Sequence, residues 1–181
     1  MKTKSKIILL VCVVVAAVGG LFGVLYFVKR RKAAKQSTTD TDTATDAAQT
    51  KAIGYRINNP LNIRYSSANN WKGQQGEQSG FCVFDTPENG IRAAMVNLKS
   101  YRKKGVVTIG DIVSRWAPPT ENNTQIYIEF VCNKLGADAS YEVEQTAADY
   151  IALLQAMCIM EIGCQPYTQS TWEKAANMAN L

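Results

Sequence analysis

Tyr150-Ile-Ala-Leu-Leu-Gln-Ala-Met-Cys-Ile-Met-Glu161 is the stretch that decides the fold. The run is too long for an ordinary strand and apolar on nearly every side, whereas a surface helix alternates an apolar stripe with a polar face. It therefore predicts the central helix of a small domain, over about 146–161. Glu161 falls on the last turn of this most buried element. Desolvation and the negative end of the helix dipole both disfavour its charged form, which raises its pKa. A carboxylic acid kept protonated near neutral pH is what a glycosidase needs to protonate a leaving oxygen. The structural alternative is that Glu161 caps the helix, reaches solvent, or pairs with Arg56, Arg64 or Arg92.

The flanking sequence supplies further helices. Asp85-Thr-Pro-Glu88 reads as a helix start, with Thr86 as N-cap and Pro87 at the first helical position. Ile91, Ala94, Met95, Leu98 and Tyr101 follow at helical spacing until Gly105. A second helix opens at Thr108, with Asp111 as capping partner, and ends before Ala117-Pro-Pro119. A third is expected over 124–135, stopped by Gly136, and a short terminal one over 170–179. Residues 53–84 are rich in Asn, Gly, Ser and Gln, with extended pieces at 61–65 and 81–84 that predict a small hairpin region. The domain is thus α+β and mainly helical.

Composition closes many chemical routes. The 181 residues contain no histidine, which rules out a Ser-His-Asp triad, a Cys-His pair or a histidine-ligated zinc hydrolase. Carboxylate chemistry remains open, and no metal or organic cofactor is implied. The five cysteines, Cys12, Cys82, Cys132, Cys158 and Cys164, form no CxxC pair and have apolar neighbours, so mostly free, buried thiols are expected. Residues 1–50 carry eight Lys/Arg and three Asp, whereas residues 51–181 carry twelve basic and twelve acidic groups. The net charge of +5 therefore sits in the N-terminal part. Beyond Arg102-Lys-Lys104 the domain has no basic run, which leaves nucleic acid binding without an electrostatic footprint.

Residues 7–28 run for 22 positions without a charge, about 33 Å as a helix against a hydrocarbon core of about 30 Å. Lys2, Lys4 and Lys6 precede the run, and Lys29, Arg30, Arg31, Lys32 and Lys35 follow it. A signal peptide would be cleaved near Ala17-Val-Gly19, but the apolar run continues past that point into a stop-transfer cluster. We therefore expect residues 1–32 to form a transmembrane anchor in contact with lipid through 7–28. Residues 33–50 are low-complexity Ala, Thr, Asp and Gln; they read as a flexible linker reaching roughly 25 Å. Residues 51–181 form the folded domain.

Four strings resemble those of phage virion-associated proteins with peptidoglycan-degrading, lysozyme-like domains. They are Arg56-Ile-Asn-Asn-Pro-Leu-Asn-Ile-Arg64 with Trp71-Lys-Gly73, Phe84-Asp-Thr-Pro-Glu-Asn-Gly-Ile-Arg-Ala93, Arg115-Trp-Ala-Pro-Pro-Thr-Glu-Asn-Asn-Thr124 followed by Tyr127, and Met160-Glu-Ile-Gly163 with Pro166-Tyr167. Together they span about residues 54–168. A weaker similarity links the chain to the glucosaminidase and transglycosylase branch of the lysozyme superfamily. There a buried helix ends in the catalytic Glu and leads into an Asn-rich hairpin, whereas here the hairpin-like strings come first. A circularly permuted lysozyme-like domain reconciles the two orders.

The resemblance implies Glu161 as catalytic acid and points to Asn59, Asn62, Arg64, Trp71, Trp116, Glu121 and Tyr167 as substrate-binding candidates. A second carboxylate would be Glu77 or Asp85, both in the hairpin region; retaining enzymes hold the pair about 5 Å apart and inverting ones about 6.5–9.5 Å apart. A transglycosylase can instead let the substrate's N-acetyl group take that role. Each candidate also has a structural reading: Glu77 solvated in its loop, Glu88 favoured by the dipole of a first turn, Glu121 ordering the Pro-rich turn, the aromatics in the core. The expected function is cleavage of peptidoglycan glycan strands for genome entry or release. Its expected place is the internal membrane of a phage virion or the host inner membrane, beside capsid or other virion membrane proteins. The alternatives are a non-catalytic virion membrane protein that binds the wall or only packs against its neighbours, and a host protein that remodels the wall.

Overall fold

The computed structural model describes residues 52–181. Helices account for about half of these residues: α1 (Ile53–Arg56), α2 (Pro87–Arg102), α3 (Ile109–Trp116), α4 (Thr124–Leu135), α5 (Ala147–Ile162) and α6 (Gln169–Met178). Strands β1 (Gln74–Gln78) and β2 (Phe81–Phe84) pair as an antiparallel hairpin. The α+β, mainly helical class is what the sequence predicts. The anchor over 7–28 and the linker over 33–50 lie outside the described residues; among the described ones no helix is long and apolar enough to cross a membrane.

Helix α5 is the axis of the domain. It packs against α1, α2, α4 and α6, burying Tyr150, Ile151, Leu153, Leu154, Ala156, Met157, Cys158 and Ile162. Each large side chain so buried contributes about 1.5–3 kcal/mol, well beyond the few tenths at stake in helix propensity. Thr146 caps the start by accepting from the Asp149 amide, and Gly163 ends the helix in the left-handed region at φ 82°. The other caps follow the sequence signals. Thr86, Thr108 and Thr168 accept from the amides three residues on, as does Asn123 at the head of α4. Helix α6 closes the far side of the core with Trp172, which is fully buried. There Arg92 Nε donates to Met178 O at 3.0 Å and Lys99 Nζ to Ala179 O at 2.8 Å.

The hairpin region departs from expectation in one strand. Phe81–Phe84 is extended as predicted, but its partner is Gln74–Gln78 and not 61–65. Residues 61–65 are held as a loop that touches β2 through one isolated bridge, Arg64 to Phe81. Two asparagines explain this. Asn62 sits in the left-handed region at φ 48°, which a strand does not allow. Asn59, fully buried, bonds its side chain to backbone groups a strand partner would otherwise satisfy: Ile63 N donates to Oδ1 at 2.8 Å, and Nδ2 donates to Ile63 O and Cys82 O at 2.9 Å each. The β1–β2 turn is Ser79-Gly80, both at positive φ, as a two-residue hairpin loop requires. Of the cysteines in the described region, Cys82, Cys158 and Cys164 are buried and Cys132 is half-buried.

Candidate active site

A groove of about 400 Å³ opens beside the C-terminal end of α5. Asn62, Ile63, Arg64 and Asn69 of the loop before the hairpin line it together with Phe81 of β2; Asn97 and Tyr101 of α2, Trp116, Ala117, Glu121, Asn122 and Glu161 complete it. The lining is mainly planar amides and aromatic rings, with one cation and two carboxylates.

Glu161 is half-buried and held at both oxygens. The hydroxyl of Tyr127, a buried residue of α4, donates to Oε1 at 2.9 Å. Asn62 Nδ2 donates to Oε2 at 3.0 Å and to the main-chain oxygen of Glu161, also at 3.0 Å. Burial raises the pKa of Glu161, while hydrogen bonds from Tyr127, Asn62 and Trp116 and the positive charge of Arg64 pull it down; burial prevails and the carboxyl lies above the usual range. The hydroxyl of Tyr127 is itself pushed far up by burial and by the adjacent carboxylate, so it stays protonated and remains a donor. Among the described residues Glu161 forms no ion pair: Arg64 bonds to Glu121 and Arg92 to Met178.

The close fit at Asn62 depends on Gly54. A Cβ there would collide with Asn62 Oδ1 and stand 2.7 Å from Asn59 O and 2.8 Å from the Ile162 side chain, so α1 can approach the loop and the end of α5 only through a glycine. On the open side Arg64 Nη2 donates to Glu121 Oε2 at 2.5 Å, and its guanidinium lies 5.9 Å from the Phe81 ring centroid. Both ion-pair partners are exposed, at 69% for the Arg64 side chain and 50% for Glu121.

The structure brings together Asn62, Arg64, Trp116, Glu121 and Glu161 on the groove. It places the other candidates elsewhere. Asn59 lies beneath the loop with its amide committed to backbone. Glu77 accepts from Gly80 N at 2.6 Å and closes the hairpin turn. Asp85 accepts from Asn89 Nδ2 at 2.7 Å, and Glu88 pairs with Lys174, whose hydrogen bond lowers its pKa. Trp71 packs on the core, and Tyr167 packs between Tyr55 and Trp172. Tyr101, read from the sequence as a member of an apolar helix face, and Tyr127, which follows one of the resembling strings, both reach the site; the signal was the polar tip that tyrosine carries on a core-facing stripe.

A small α+β domain whose central helix ends in a tethered acid beside a polar groove is the class of protein that fold and site define. No family model matches the chain. It is 40% identical over 128 residues to Protein P5 of Pseudoalteromonas phage PM2, a match covering 68% of this chain and 79% of that protein. The chain belongs to the family of that phage protein.

Proposed function

We propose that this chain is a membrane-anchored, virion-associated phage enzyme that cleaves the glycan strands of bacterial peptidoglycan. The observation that carries the reading is Glu161, its pKa raised by burial, fixed by Tyr127 and Asn62 at the edge of a groove lined with asparagine amides and aromatic rings. Amides that donate and accept in one plane suit sugar hydroxyl and acetamido groups, and rings suit the apolar faces of pyranoses. In this reading Glu161 gives its proton to the glycosidic oxygen as the C1–O bond breaks. The resulting carboxylate then takes a proton from water, or from a hydroxyl of the cleaved sugar, as that oxygen attacks C1. Glu77 is held at the hairpin turn and Asp85 by Asn89, and neither lines the groove, so this reading gives the second role to the substrate's own N-acetyl group. The acid-bearing helix beside an Asn-rich loop is consistent with a lysozyme-like, circularly permuted domain, and the charge-free run 7–28 with a virion internal membrane or the host inner membrane.

The test uses the full chain in detergent on purified peptidoglycan, followed by turbidity and by mass spectrometry of the products, beside a Glu161→Gln variant. Products with anhydro-muramic ends, absent with the variant, identify a transglycosylase; reducing ends identify a hydrolase. Wild type and variant that are equally inert yet both co-sediment with the wall would replace the enzyme with a wall-binding virion membrane protein.

A further inference from the structure

We infer that Arg64 is a carboxylate-recognition point of the groove, reading the anionic peptide stems that distinguish peptidoglycan from a neutral glycan. The inference rests on the glycan-strand reading above. Arg64 is the one cation among the groove's lining residues. A guanidinium can donate to the hydroxyls of any sugar, but its planar fork matches a carboxylate, and peptidoglycan stems carry free carboxylates that it binds with two parallel hydrogen bonds. Among the described residues only Nη2 donates, to Glu121, which leaves most of the fork to a ligand. The Phe81 ring beneath the guanidinium and the Arg64–Phe81 backbone bridge hold it at the groove without consuming its donors.

Glu121 is the occupant a ligand would displace. It sits on the loop between α3 and α4, while Arg64 sits on the loop before β1, so their bond links two walls of the groove. Both side chains are largely exposed, and an exposed pair of this kind is weak enough for a competing carboxylate to exchange with it. Glu121 thus keeps Arg64 extended and charge-balanced in the free protein and yields its place when a stem arrives.

The experiment measures binding by the full chain carrying Glu161→Gln, so that nothing is cleaved. Three probes are used: a neutral N-acetylglucosamine oligomer, a disaccharide-peptide fragment of peptidoglycan, and the same fragment with its carboxylates converted to amides. The anionic fragment should bind roughly two- to tenfold more tightly than its amidated form, and added salt should shrink that preference. Arg64→Gln should abolish the preference for the anionic fragment over its amidated form. Glu121→Gln, which removes the competitor, should tighten the anionic fragment about two- to fivefold. Equal binding of anionic and amidated fragments, or an Arg64→Gln variant that loses all three probes in proportion, overturns the carboxylate site while leaving the glycan reading intact. Failure to bind any of the three overturns both.

Discussion

Asn59→Ala should cost stability and leave binding alone. Removing this buried side chain strips the Ile63 amide of its acceptor and takes one donor each from the carbonyls of Ile63 and Cys82. Ile63 O keeps its bond from Cys82 N at 2.9 Å, so the amide of Ile63 is the group most exposed to loss. An orphaned buried amide costs about 1–3 kcal/mol, and each lost net bond about 1 kcal/mol. With the small void left behind, the sum is about 3–5 kcal/mol, or a fall in Tm of roughly 10–20 °C for a domain of this size. Circular dichroism melts give the first number, and co-sedimentation with peptidoglycan, well below the variant's Tm, gives the second. An unchanged Tm, or loss of wall binding by a fully folded variant, would refute the reasoning and return Asn59 to the ligand side.

Three further outcomes follow from the same geometry. Gly54→Ala forces a Cβ into Asn62 Oδ1 and Asn59 O; we expect about 1–3 kcal/mol of destabilisation in urea unfolding and, if the proposed lytic activity is present, a loss of it beyond what the unfolded fraction explains. Tyr127→Phe removes a donor to the ionised form of Glu161, so the carboxyl pKa should rise further, seen as an alkaline displacement of its carbon resonance in an NMR titration; a fall would contradict the assigned bond. The pKa of Glu161 is already raised in the folded state, so the native protein holds this proton more tightly than the unfolded chain. Its contribution to stability is full in acid and is lost as pH rises from the ordinary carboxylate range through the raised value. Urea unfolding across that range should show this decline in wild type and not in Glu161→Gln.

How much of this was legible in the sequence depends on which physical signal each part carries. Helix α2 announces itself through Thr86-Pro87, α3 through Thr108, the end of α4 through Gly136, and α5 through its apolar circumference. Strand β1, Gln74-Gln-Gly-Glu-Gln78, has no apolar residue and is mostly exposed; it is a strand because β2 and the Ser79-Gly80 turn make it one, a tertiary cause that local pattern cannot carry. Within Asn58-Asn-Pro-Leu-Asn62, one motif holds three asparagines of unlike roles: Asn58 and Asn59 turn to backbone oxygens while Asn62 turns to Glu161. Nothing in residue type separates them. Asn69, Asn97 and Asn122 reach the groove from ordinary polar positions, visible only once the loops and α2 are set side by side.

The bond between Asn62 and Glu161 joins residues 99 apart in the chain, and this separation sets an order of events during synthesis. A ribosome releases Asn62, Arg64, Tyr101 and Trp116 long before α5, so a nascent chain owns the walls of its groove and lacks the acid. Contacts this distant in sequence are also the slow ones to form, because the intervening chain must first be closed into a loop. The site is therefore completed late, and a product broken off before α5 is built would carry the groove walls without the carboxyl they hold.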